Sequence, residues 1–197
     1  MLPIDPKSTT LLLIDLQLGF DGPRWGRRNN PLLERRASEL LHAWRSTGRP
    51  VVHVKHMSTE PLSPLRPGQR GNDWKPETAP VLGEAVIEKQ VNSAFIGTSL
   101  EDDLRHAGCR GVVIVGLTTN HCVSTTARMA GNLGFATWVV SDATATFDRS
   151  GPYGVEHPAE QIHSFALSDL HGEFATVVDT AAVIAALRVP ASLKRAA

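Results

Sequence analysis

At 197 residues and 42% apolar side chains, the chain can bury a hydrophobic core and is too apolar for a disordered segment. Its 20 basic and 20 acidic residues cancel, so nothing electrostatic favours nucleic acid or an anionic membrane, and a small molecule or a second copy of the chain is the expected partner. No stretch approaches the roughly 18 apolar residues of a membrane span. Met1-Leu2-Pro3-Ile4-Asp5-Pro6 also lacks the basic-then-apolar pattern of a secretory signal. The cysteines, Cys109 and Cys122, show no Cys-x-x-Cys spacing, which argues against a disulfide scaffold or a cysteine zinc site. A reducing cytoplasm, where both stay thiols, is the expected setting.

Thr10-Leu11-Leu12-Leu13-Ile14 is apolar without polar alternation, as expected for a strand covered on both faces. Asn30-Pro31 reads as an N-cap with proline at the first helical position. Leu33, Ala37, Leu40, Leu41 and Trp44 then follow at helical spacing, until Gly48 and Pro50 end the helix. Val51 to Val54 and Ala85 to Ile87 are the second and third predicted strands. Between them, Ser58 to Pro80 breaks the rhythm with five prolines, Gly68, Gly71 and Trp74. That length is unusual for a connection in a compact domain, so it is read as a lid or a partner contact.

A helix capped by Thr98 or Ser99 runs to His106, with Gly108 as its stop. Val112 to Gly116 is the fourth strand, and a helix from Asn120 to about Leu133 closes at Gly134. Thr137 to Val140 is the fifth strand, Pro158 to Ser168 a helix, Ala175 to Val178 the sixth strand, and Ala181 to Arg188 the last helix. This alternation predicts an α/β fold: a three-layer α/β/α sandwich on a mostly parallel six-stranded sheet. A single domain is expected over residues 1–190, with 191–197 as a frayed tail.

Ligands of an open parallel sheet bind outside the carboxyl ends of its strands. Three reactive residues fall there: Asp15 after the first strand, Lys89 after the third, and Cys122 after the fourth at the start of a helix. A helix N-terminus favours thiolate over thiol, and its free amides can bond an oxyanion. Asp15 can serve as base toward the thiol and later as acid toward a leaving amine. Lys89 can hold the aspartate ionised and steady the thiolate. Taken singly, a buried cysteine is equally a small hydrophobe, a turn aspartate a backbone acceptor and a strand-end lysine a solvated charge. Cys109, in a turn between Gly108 and Arg110, reads as structural.

Leu11-Leu12-Leu13-Ile14-Asp15-Leu16-Gln17, Glu88-Lys89 leading to Ser93-Ala94-Phe95-Ile96-Gly97-Thr98, and Val115-Gly116-Leu117-Thr118-Thr119-Asn120-His121-Cys122-Val123 together resemble the isochorismatase-like cysteine hydrolases, which include nicotinamidases and carbamoylsarcosine, biuret and ureidoacrylate hydrolases. The likeness continues through Ser141-Asp142-Ala143-Thr144-Ala145 and the stretch from Ala166 to Ala175. It implies a triad of Asp15, Lys89 and Cys122. It also implies an oxyanion hole from the backbone N–H groups of Thr118 and Cys122, with a cis peptide between Leu117 and Thr118. A dimer or tetramer is implied as well. Relatives that cleave the vinyl ether of isochorismate lack the nucleophilic cysteine, so Cys122 points to amide-type chemistry.

Nicotinamidases carry an Asp-x-His metal motif after the second strand. Here that region reads His53-Val54-Lys55-His56-Met57-Ser58, and its i, i+3 histidines are not expected to aim at one ion. No metal and no cofactor are therefore expected, and His121, His157, His163 and His171 read as structural or solvated. Gln17, Phe20, Trp25, Phe95, Asn120 and Phe147 are the candidate substrate-binding residues, the aromatics for a ring or short aliphatic group and the amides for a polar end. Competing readings are a vinyl-ether hydrolase that does not use Cys122, a non-enzymatic binding protein on the same fold, and a redox role without an evident resolving cysteine.

Overall fold

The computed structural model describes residues 4–5 and 7–188; the tail expected at 191–197 lies outside them. The elements are β1 (Thr9–Ile14), α1 (Leu33–Arg45), β2 (Val51–His56), β3 (Ala85–Lys89), α2 (Leu100–His106), β4 (Gly111–Leu117), α3 (Ser124–Asn132), β5 (Ala136–Ala145), β6 (Arg149–Ser150), β7 (Glu156–His157), α4 (Ala159–Leu170), β8 (Thr176–Val178) and α5 (Thr180–Arg188). Six strands form one sheet in the order β3-β2-β1-β4-β5-β8, and every neighbouring pair is parallel. β6 and β7 make a separate antiparallel ribbon. No helix among the described residues is long and apolar enough to cross a membrane.

The unbroken apolar runs have a direct structural cause. In β1, Leu11 and Leu13 face one core with Leu40, Leu41 and Trp44 of α1 and Val183 of α5. Leu12 and Ile14 face the other core with Leu100 and Leu104 of α2, Ala127 of α3 and Leu170 of α4. Successive strand side chains alternate, so a strand covered on both faces must be apolar at every position.

Two predicted helix starts are corrected. Helix α1 begins at Leu33, and the Asn30 side chain does not cap it. Asn30 sits at φ 46 and its Nδ2 donates to the carbonyls of Ser141 (2.8 Å) and Thr144 (2.6 Å). It thereby fills an irregularity where β5 shifts register against β4 and runs on to Ala145, beyond its predicted end. The expected helix from Asn120 is instead a π-helical turn, Thr119–Val123, followed by α3.

The chain leaves β1 and β4 on opposite sides of the sheet, so the gap between these neighbouring strands is the topological switch point. Gly116, at φ 118, lets them meet there: an added Cβ would lie 2.0 Å from the Ile14 carbonyl oxygen. No other residue fits that approach.

Candidate active site

Asp15 leaves β1 at φ 51, in the left-handed region that aspartate tolerates better than most residues. Its side chain is fully buried, and a buried carboxylate needs a partner. Lys89, the last residue of β3, supplies one: Nζ donates to Asp15 Oδ2 at 2.7 Å, with both side chains 0% exposed. Asp15 Oδ1 has no hydrogen-bond partner among the described residues. Donor atoms of Asp15, His56 and Cys122 all lie within 4.8 Å of one another.

Cys122 sits in the π-helical turn after β4, itself buried. Its Sγ lies 3.7 Å from Asn92 Oδ1. Burial, reinforced by the negative charge of Asp15, pushes the thiol well above the usual cysteine range, and the opposing pull of Lys89 does not cancel this. Desolvation thus opposes the thiolate that the helix-terminus argument favours. For Lys89 the balance runs the other way. Burial lowers it, but Asp15 and Cys122 more than compensate, so the ammonium is held above its ordinary value.

The Leu117–Thr118 peptide is cis, and the Thr118 carbonyl accepts the N–H groups of His121 (3.0 Å) and Val123 (3.2 Å). Above these residues opens a cavity of about 810 Å³ whose floor includes Asp15, His56, Asn92, Thr118 and Cys122. Phe20, Trp25 and Phe147 form one wall, with ring centroids 5.0 Å (Phe20–Trp25), 5.6 Å (Trp25–Phe147) and 6.2 Å (Phe20–Phe147) apart. Glu60 to Ser63 and Leu65 form another, and Arg24, His121 and Arg149 also line the cavity. The Ser58 to Pro80 stretch thus contributes wall. Its Lys75 is buried in ion pairs with Asp21 and Glu34, and Gly71 packs under Pro64 against Gly19.

Three candidate binding residues do not line this cavity. Gln17 is fully buried and braces the backbone of His56, accepting from its N–H at 2.8 Å and donating to its carbonyl at 3.1 Å. Phe95 points into the core beneath the sheet, with its ring centroid 6.1 Å from that of Phe135. Asn120 accepts a hydrogen bond from Thr146 Oγ1 at 2.5 Å and so steadies the rim. Cys109 takes no part: it accepts from Thr10 Oγ1 and donates to the Gly111 carbonyl.

His56 is the contributor that pattern reading passed over, for its signal was only a histidine at the end of an apolar run. Its Nδ1 lies 3.0 Å from Lys89 Nζ, whereas His53 turns away and bonds Glu84 at 2.8 Å, so the two histidines do not converge on one point. Asp15, His56 and Cys122 carry atoms that ligate metals, but the Lys89 ammonium bonds two of these three residues and its charge opposes a cation there.

Comparison with known proteins places the chain in a family. The chain is 44% identical over 174 residues to the isochorismatase family protein YrdC of Bacillus subtilis, covering 88% of this chain and 93% of that one. It is 36% identical over 190 residues to Nicotinamidase 3 of Arabidopsis thaliana, covering 89% and 87%. A crystal structure of a hydrolase of the isochorismatase family from Chromobacterium violaceum superposes with a TM-score of 0.91 at 46% identity, covering 94% of this chain and 96% of that one. Residues 9–182 match the isochorismatase domain, and the chain belongs to the isochorismatase family of hydrolases.

Proposed function

We propose that the protein hydrolyses a C–N bond in a small amide, imide or ureido compound through a thioester on Cys122. The observation that carries this reading is the meeting of Asp15 and Cys122 on the floor of one cavity at the switch point, with Lys89 bonded to Asp15 from beneath and Asp15 Oδ1 free of other partners.

Asp15 takes the thiol proton as Cys122 Sγ attacks the carbonyl carbon, so little free thiolate need accumulate in a site where burial disfavours it. The carbonyl oxygen becomes an oxyanion, bonded by the backbone N–H groups of Thr118 and Cys122. The C–N bond breaks as Asp15 returns the proton to the departing nitrogen, leaving a thioester. Water then attacks the thioester carbon and gives a proton to Asp15. The C–S bond breaks, Cys122 is reprotonated, and a carboxylic or carbamic acid leaves. Lys89 keeps its charge throughout and stabilises whichever partner is anionic. The wall of Phe20, Trp25 and Phe147 suits a planar or apolar substituent on the acyl or amine side. The nicotinamidase relative, by its name, acts on an amide.

The test is ammonia release, in a coupled assay, from a panel of small carboxamides, cyclic imides and ureido compounds, by wild type and by Cys122→Ala. Release by wild type is expected, with Cys122→Ala at background. Equal release by both would remove Cys122 from the mechanism. Turnover of a vinyl ether that survives Cys122→Ala would transfer the reading to the family's other chemistry.

A further inference from the structure

We propose that His56 is a positioning residue for Lys89, accepting one of its three N–H bonds and so fixing the ammonium between Asp15 and Cys122. This rests on the functional reading above. Lys89 donates to Asp15 Oδ2 at 2.7 Å and to His56 Nδ1 at 3.0 Å, and Cys122 Sγ lies within 4.8 Å of a carboxylate oxygen of Asp15 and a ring nitrogen of His56. An ammonium has donors and no acceptor, so Nδ1 must carry a lone pair, and the ring proton resides on Nε2. With two N–H groups committed to Asp15 and His56, the third remains for the thiol beside them. Without the imidazole acceptor, the four-carbon stem leaves the ammonium free to turn both of its remaining donors onto Asp15, and Cys122 loses its counter-charge.

The ring is held for this task from behind. Gln17 accepts from the His56 N–H at 2.8 Å, and the His56 carbonyl accepts from both Gln17 Nε2 (3.1 Å) and Asn72 Nδ2 (3.0 Å). Both amide side chains are buried, Gln17 at 0% and Asn72 at 4% exposure. A residue that merely lined a rim would need no such double clamp on its backbone.

The groups facing the ring are Lys89 from β3, Asp15 from the end of β1 and Cys122 from the turn after β4. The neighbouring Lys55 points elsewhere, onto the Trp74 ring. Burial first, then the charge of Lys89, holds the imidazole below its ordinary value, against the weaker pull of Asp15. The ring is thus a neutral acceptor at neutral pH.

The experiment follows the rate of Cys122 alkylation by iodoacetamide from pH 6 to 10, read by mass on the Cys122 peptide, in wild type, His56→Leu, His56→Asn and Lys89→Met. Leucine keeps the volume without an acceptor, and asparagine places an amide oxygen near Nδ1. His56→Leu is expected to slow alkylation about tenfold at pH 7.5, moving the profile up by about one pH unit. Lys89→Met should slow it at least as much, and His56→Asn should recover most of the wild-type rate. A wild-type rate in His56→Leu beside a slow Lys89→Met would overturn the role of His56 and leave the function standing. His56→Asn as slow as His56→Leu would mean that the ring acts through packing, and would also overturn it. A wild-type rate in Lys89→Met would take away the functional reading together with the inference built on it.

Discussion

The two cysteines bracket β4, and the ends of that strand differ most in the charges around the sulfur. Cys109 and Cys122 are both buried, at 9% and 8% exposure, and both have a hydrogen-bonding partner for sulfur. Cys109 has neutral neighbours, the hydroxyl of Thr10 and the carbonyl of Gly111. Cys122 has a carboxylate, an ammonium and an imidazole within reach. Burial alone makes a cysteine an inert hydrophobe; what turns it into a nucleophile is a base that can take its proton inside the same dry space. In a parallel sheet the carboxyl ends of the strands collect such groups, because each strand delivers its following residue to the same edge.

The most severe way to test this contrast is Asp15→Asn, which keeps the shape and removes the base. It is expected to lower kcat/KM by about 10²–10⁴-fold. It also leaves Lys89 buried opposite an amide, so the unfolding free energy from urea titration should fall by about 3–5 kcal/mol. Retained turnover would dissolve the distinction between the two ends of β4.

An intermediate effect is expected from acid. His53, His56 and His163 are all held below their ordinary value, in each case chiefly by burial. Their depressed values contribute stability that is present above about pH 6.5 and lost as pH falls through the folded-state values. The urea midpoint should therefore drop between pH 7.5 and 5, and alkylation of Cys122 should slow over the same range as His56 ceases to accept from Lys89. A midpoint that stays flat across that range would mean that these rings are not buried neutral.

The smallest effect belongs to Cys109→Ala. It removes one weak acceptor and one donor, a cost of about 1 kcal/mol in urea titration, and turnover should be unchanged. A loss of turnover comparable to that of Cys122→Ala would show that the neutral end of β4 shares in the chemistry.

Much of this was legible from the chain itself. Strands buried on both faces announce themselves as continuous apolar runs, so Asp15, Lys89 and Cys122 stood out as polar residues at strand ends, and a parallel sheet has one edge where they can meet. The walls were less legible. Glu60 to Leu65 lie in an irregular excursion, where no periodicity says which side chain faces inward. Phe95 and Asn120 do not line the cavity for the same reason: both follow a strand, but their direction is set by the turn each occupies, not by distance in sequence from a reactive residue. Gln17 looked like a substrate contact because it follows Asp15 closely, yet the left-handed step at Asp15 is followed by a turn that sends its side chain into the packing of Ser58 to Pro80. His56 lacked a pattern because its role depends on Lys89, which joins it only when β2 and β3 pair in register.

The clamp on His56 also bears on motion. Asn72 holds both the His56 carbonyl and the carbonyl of Leu65, and Gln17 holds the carbonyl of Asn72. Proteins open in contiguous cooperative units, and hydrogen bonds that share donors and acceptors tend to open together. The cavity wall around Leu65 and the backbone that aims His56 therefore form one such unit. A fluctuation that widens the entrance around Leu65 is therefore expected to slacken the imidazole behind Lys89 as well.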